Sequence, residues 1–237
     1  MVRDIGVTVA LHERLPGWAV GPVSRLSALG QPFVLAPALV VLYVLEVVSN
    51  LRRSGGESGQ SLCSDRTAFV IATVLGGMSL GGALKSAFGM TRPPEELYAG
   101  ENSEYGFPSG HTMAATVFWG ALALWSTAGR RSTRLLAAGL IVAAVAASRL
   151  ATGAHYAVDV AVSVALGAIY LAAVARITGG RPGRAFCVAI GSALLAIATS
   201  GGDDRALLAT GGTVTAAAGW LALEFRPVRR LVVRAAG

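Results

Sequence analysis

Runs of apolar residues about as long as a bilayer is wide dominate this chain. A membrane-crossing helix needs about 20 mostly apolar residues. Seven segments approach or meet that length: 33–49, 67–88, 111–128, 135–151, 156–175, 185–200 and 206–224. Composition points the same way, with 54% of the 237 residues hydrophobic and 14% charged, against about 25% charged in an average soluble domain. These numbers exclude a disordered chain and argue against a water-soluble globule. The expected fold class is all-α and integral to the membrane, a bundle of about seven transmembrane helices.

The last two runs are rich in Ala, Gly and Thr, whose small side chains let helices approach closely in lipid. Residues 17–31 mix Trp18 and leucines with Arg25 and read as a short interfacial helix ahead of the first span. The first eighteen residues carry Arg3, Asp4, Glu13 and Arg14 and lack the apolar stretch of a cleaved signal peptide. Cys63 and Cys187 stand far apart with no Cys/His cluster, so neither a disulfide framework nor a structural zinc site is expected.

The net charge of +7 comes with 19 arginines and a single lysine, Lys85. Most of these lie in short clusters between the apolar runs, the pattern of loops beside a bilayer and not of a nucleic-acid-binding face. No nucleic-acid partner is expected. With seven spans, thirteen basic residues, from Arg52 to the Arg226–Arg234 tail, share one side. The other side holds seven: Arg3, Arg14, Arg25, Lys85, Arg92, Arg149 and Arg205. Excess Arg marks the cytoplasmic side, which puts the N-terminus outside and the C-terminus inside. The longest outer loop, 92–110, is rich in Pro and Gly and carries Glu95, Glu96, Glu101 and Glu104.

Several charges lie where lipid should be, at an insertion cost of about 2.5–3.5 kcal/mol each. Lys85 sits near the end of the second run and Arg92 seven residues on, two helical turns along nearly one face. Pro93 and Pro94 then stop the helix. Snorkelling of Lys85 with capping by Arg92 would also account for the pair. The third run opens with Pro108-Ser109-Gly110-His111. This is either a helix N-terminus offering N–H groups to an anion or an ordinary N-cap at Ser109 with an interfacial His111.

Arg149 ends the fourth run, Gly153 breaks the chain, and His155 and Asp159 open the fifth. Four apart on a helix, His155 and Asp159 share a face, and the carboxylate can fix the tautomer of the imidazole. A structural pair bracing two helices is the alternative. The alternation of spans brings all these ends to the one outer face. Three cations, a helix N-terminus and two histidines there make a site for a phosphate-like oxyanion. His111, His155 and Asp159 could ligate a metal by residue type, but three adjacent cations repel Zn²⁺ or Mg²⁺. No metal and no cofactor is expected.

Lys85-x6-Arg92-Pro93, Pro108-Ser109-Gly110-His111 and Ser148-Arg149-x5-His155-x3-Asp159 resemble the three signature motifs of the type 2 phosphatidic acid phosphatase superfamily. That superfamily also contains bacterial acid phosphatases, glucose-6-phosphatase and vanadium haloperoxidases. The likeness covers residues 33–177. It implies a five-helix catalytic core and a metal-independent phosphomonoesterase or diphosphatase working through a phosphohistidine. In that reading His155 attacks phosphorus, Asp159 orients it, and His111 protonates the leaving oxygen and later helps to deprotonate water. Lys85, Arg92, Arg149, the Ser109 hydroxyl and the Gly110 N–H would hold the phosphoryl oxygens.

The chain departs from the family's common six spans by lacking one before the core and adding two after it. Its expected parts are residues 1–32, an outer segment with the interfacial helix; 33–177, the phosphatase core; and 178–237, two extra helices and a basic tail. The extra helices are read as packing elements or as contacts in a homo-oligomer. Glu46 matches no motif and is read as a solvated end residue or part of a substrate groove.

The membrane setting makes a lipid the expected partner and substrate: phosphatidic acid, phosphatidylglycerol phosphate or a polyprenyl diphosphate. Phosphotransfer to a hydroxyl acceptor is a second use of the same site. A transporter would place its charges near the midplane, often in repeated halves, and the sequence shows neither. The haloperoxidase relatives are soluble, which this composition opposes.

Overall fold

In a computed structural model, described for residues 5–54, 61–97 and 105–236, the chain is all-α, with no strand among the described residues. Two short helices, α1 (Gly6–Arg14) and α2 (Gly17–Leu26), lead through a 3-10 turn at Ser27–Gly30 into α3 (Pro32–Ser54). There follow α4 (Asp65–Phe88), α5 (Gly110–Trp125), α6 (Arg131–Ala151), α7 (Ala157–Thr178), α8 (Pro182–Ser200), α9 (Asp204–Glu224) and α10 (Arg226–Ala236). The short helix expected over 17–31 is α2 with its 3-10 turn. The short helices α1 and α10 were not anticipated.

Among the described residues six helices, α3, α4 and α6 to α9, are long and apolar enough to cross a membrane. The third expected run is helical over 16 residues, about 24 Å at 1.5 Å per residue. The connection to α6 sets its end. Ser126 turns extended, and Arg134 of α6 reaches back to the carbonyls of Ala123 (3.0 Å), Ala128 (3.0 Å) and Gly129 (2.8 Å). The guanidinium thus takes one carbonyl in the last turn of α5 and two of the connection that follows it.

α4 stands at the centre of the bundle. Ser64 caps it by accepting the Thr67 N–H at 3.2 Å, and Gly89, left-handed at φ 55°, ends it. The apolar window of α4 is 67% buried and that of α3 only 11%, so α4 is a pillar among helices while α3 faces lipid. α8 lies along α4, and its Ala185, Ala189, Ala193 and Ala196 are at most 3% exposed. Gly76 of α4 permits this approach, because a Cβ there would strike Tyr170 Oη and lie 2.9 Å from Ala189 Cα. Tyr170 of α7 in turn donates to the Thr73 carbonyl at 2.9 Å. Small residues in the sixth run therefore do what they do in lipid, bringing two backbones together.

At the end of the bundle where α4 starts, the Glu46 carboxylate accepts the Ser64 N–H at 3.1 Å. Glu46, half-buried, thus ties α3 to the start of α4. Ser61 Oγ donates to Glu224 of α9 at 2.5 Å in the same place. Burial, then the nearby Glu46 and Glu224, push the Cys63 thiol up to about 12, which leaves it a neutral thiol.

The α4–α8 contact can be tested by crowding it. Gly76→Ala is expected to cost about 1–3 kcal/mol by overpacking and to lower the thermal midpoint in detergent. Gly82→Ala on the same helix, where nothing lies within 4 Å, is expected to leave the midpoint unchanged or raise it.

Candidate active site

Polar and charged side chains gather at the end of the bundle where α4 and α6 finish and α5 and α7 begin. Lys85 is half-buried in the last turn of α4. The sequence suggests a single helix carrying Lys85 and Arg92 on one face, and the structure corrects this. The helix stops at Phe88, Gly89 donates its N–H to the Lys85 carbonyl at 3.1 Å, and Arg92 lies on the non-helical segment beyond. Freed from the helix, Arg92 reaches the turn between α6 and α7. One Nη1 donates to the Ala154 carbonyl at 2.9 Å and sits 3.5 Å from His155 Nε2.

Arg149, 6% exposed, closes α6. The turn after it, residues 152–156, depends on Gly153, which is left-handed at φ 70° and has no room for a Cβ because the Leu97 carbonyl fills that position. The expected i,i+4 helical pairing of His155 and Asp159 also needs correction. α7 begins at Ala157 with Tyr156 as its N-cap, so His155 precedes the helix and Asp159 lies in its first turn. Asp159 Oδ2 accepts the Tyr156 N–H at 3.0 Å and faces His155 Nδ1 at 3.6 Å. Both side chains are fully buried.

The Asp159 carboxylate oxygen that faces Nδ1 is an acceptor, so the tautomer that pairs with it carries its proton on Nδ1. That leaves the Nε2 lone pair directed toward Arg92. Burial pulls His155 down to about 4, the Asp159 contact opposes this, and Arg149, Arg92 and Lys85 add to it. The ring is therefore neutral at neutral pH.

Ser109 and Thr112, both fully buried, open α5. Ser109 occupies the N-cap position without a side-chain cap bond. Its Oγ is 3.0 Å from Thr112 Oγ1, and its N–H donates to the Asp159 carbonyl at 3.4 Å. Gly110 has open space on its Cβ side. His111 is half-buried beside it, within electrostatic reach of Arg149, His155, Lys85 and Arg92. Lys85 lies within the same reach of Arg92, Arg149 and Asp159. All eight candidate residues thus share one end of the bundle. No group of three or more His, Cys, Asp or Glu residues forms a metal-ligand set among the described residues.

Three further residues at this end were not singled out in the sequence. Arg205, at the start of α9, lies within reach of Lys85, and its place on the outer side of the Arg count was the one available signal. Thr8 and His12 of α1 bond to the 152–156 turn and its flank, and no motif or spacing announces them. Glu101 and Glu104 of the acidic loop lie outside the described residues, as does Arg3.

The family model of the PAP2 superfamily matches residues 66–182, a stretch that holds all eight candidate residues. A solved structure, that of a transmembrane PAP2-type phosphatidylglycerolphosphate phosphatase from Bacillus subtilis, aligns with a TM-score of 0.57. The alignment covers 70% of this chain and 80% of that one at 20% identity. No curated protein matches the chain. The shared fold is a membrane-spanning bundle of helices. Residues 66–182, and with them the candidate site, belong to the PAP2 superfamily.

Because Gly153 meets two independent obstacles to a side chain, Gly153→Ala is expected to cost about 1–3 kcal/mol in backbone strain alone. A lowered thermal midpoint in detergent would show it. An unchanged midpoint would mean that the turn has room for a side chain after all.

Proposed function

We propose that this protein is a phosphatase that removes the phosphate or diphosphate headgroup of a membrane lipid without a metal, through a phosphohistidine intermediate. One observation carries the reading: a buried, neutral imidazole with a carboxylate at Nδ1 and its Nε2 turned toward Arg92. Such a group is a braced nucleophile beside cations. In the first step Nε2 of His155 attacks phosphorus, the P–O bond to the lipid breaks, and His111 supplies the proton that the leaving oxygen takes up. In the second step water attacks the phosphohistidine, the P–N bond breaks, and His111 accepts the proton of that water. Lys85, Arg92, Arg149, the Ser109 hydroxyl and the Gly110 N–H stabilise the equatorial oxygens, where a loose transition state spreads its charge.

The membrane-spanning fold supports a lipid substrate, whose chains can lie between helices while the headgroup reaches the site. The Bacillus subtilis relative is a phosphatidylglycerolphosphate phosphatase, which makes phosphatidylglycerol phosphate the first substrate to try, with phosphatidic acid and polyprenyl diphosphates beside it. Thirteen basic residues against seven support a site on the extracytoplasmic face and a cytoplasmic C-terminus.

Phosphate release by the purified protein in EDTA tests this reading. Turnover of at least one of these lipids is expected to persist in EDTA and to fall by about 10³-fold or more in His155→Ala. Activity lost to EDTA but kept by His155→Ala would overturn the mechanism. Asp159→Asn retains an acceptor for the Tyr156 N–H but loses the charge, and is expected to lower kcat by about 10²–10⁴-fold with little change in thermal midpoint. A wild-type kcat in that variant would remove Asp159 from the mechanism.

A further inference from the structure

The segment that carries His155 is not helical, so its carbonyls need donors from elsewhere. Two of them, together with that of Ala151 at the end of α6, find side chains. Ala154 O accepts from Arg92 Nη1 at 2.9 Å, His155 O accepts from Thr8 Oγ1 at 3.0 Å, and Ala151 O lies 3.1 Å from His12 Nδ1. A carbonyl only accepts, so His12 carries its proton on Nδ1. Two of these three donors come from α1, a helix outside the segment matched by the family model.

The way α1 is mounted bears on what it does. Thr8 and His12 are four residues apart and share a face. Thr8 is fully buried and is the one buried residue of the helix, while Val7 and Leu11 are 48% and 37% exposed. Val9 is half-buried, but the side chain this helix buries completely is a threonine, whose hydroxyl is costly to bury unless it is bonded, and the bond it makes is to the main chain of His155. The backbone carbonyl of His155 is thereby fastened by Thr8 and its ring faces Asp159, so the residue is held at both ends.

We propose that α1 is a clasp that positions His155, with Thr8 and His12 as positioning residues that touch neither substrate nor reacting atoms. This rests on the phosphatase reading. A nucleophile must meet phosphorus within a few tenths of an ångström of its productive position, and a 152–156 segment released from α1 would let Nε2 drift while leaving the cations that bind the headgroup in place.

The test uses the full-length protein in detergent, with phosphatidylglycerol phosphate in EDTA and His155→Ala alongside. Thr8→Val, nearly isosteric but without the hydroxyl, is expected to lower kcat roughly 10–100-fold with KM within about twofold. Thr8→Ser is expected to restore most of that loss. Inhibition by orthovanadate, measured without EDTA because EDTA chelates vanadate, is expected to weaken with kcat, while inhibition by inorganic phosphate stays as in the wild type. A merely structural role would lower the thermal midpoint without dividing the two inhibitors.

Should Thr8→Val fail to fold, His12→Leu and His12→Asn decide, since Asn keeps an N–H near the Nδ1 position. Loss of kcat in His12→Leu with recovery in His12→Asn supports the clasp, and wild-type kcat in both overturns it. Turnover that requires His155 but is indifferent to Thr8→Val overturns the clasp alone. Turnover that does not require His155 overturns the phosphatase reading and the clasp with it.

Discussion

A carboxylate with no exposed surface must be surrounded by donors, and the polar end of this bundle is assembled around the carboxylate of Asp159. Its Oδ2 takes the Tyr156 N–H and faces His155 Nδ1. Its main-chain carbonyl receives the Ser109 N–H and the Ser163 hydroxyl. The start of α5, the start of α7 and the turn from α6 are therefore tied to one residue. Moving any of them would leave a buried polar group without its partner, and that penalty fixes their relative positions more firmly than apolar contact could in a lipid solvent.

The rest of the bundle brings those helix ends together. α4 is apolar and buried on most sides, and glycine and alanine along it let α7 and α8 come close. At the polar end two further glycines serve close approach. A Cβ on Gly30 would strike the His111 carbonyl, and one on Gly106 would lie 3.0 Å from Arg92 Cα. The 3-10 turn before α3 is secured beside α5 by Trp119 Nε1, which donates to the Leu29 carbonyl at 2.9 Å. Backbone therefore packs directly behind His111 and Arg92, two candidate groups with half-exposed side chains.

Much of this was legible in the sequence because lipid enforces a simple code. Seven apolar runs announced the long helices, and charges at run ends marked the polar end. What the sequence left open is where a helix stops. Lys85 and Arg92 look two turns apart on one face until Gly89 ends the helix between them. His155 and Asp159 look like an i,i+4 pair until Tyr156 takes the N-cap position. In both places a residue just outside the helix gains freedom to point away from the helix face, and hydrophobic periodicity carries no information about that. Thr8 was invisible for a related reason: a buried threonine in a short helix has no pattern, only a partner 147 positions away.

The sparse burial of α3 has a consequence for what holds it in place. Phe33, Val40, Val41, Val44 and Leu45 are 48% to 72% exposed, and in a bilayer that surface meets hydrocarbon. Leaving lipid for a protein interior gains a leucine almost nothing, since the two environments are equally apolar. Adhesion of α3 therefore rests on close packing of its narrow buried face, where Leu35 and Leu39 are 1% and 3% exposed, and on polar ties, two of which are the Glu46 carboxylate on the Ser64 N–H and the Asn50 amide on the Leu62 carbonyl. Both lie at the end remote from His155. At the other end Trp119 ties the turn ahead of α3 to α5 and Leu35 is fully buried, so valine, leucine and isoleucine are interchangeable only at the positions that face hydrocarbon.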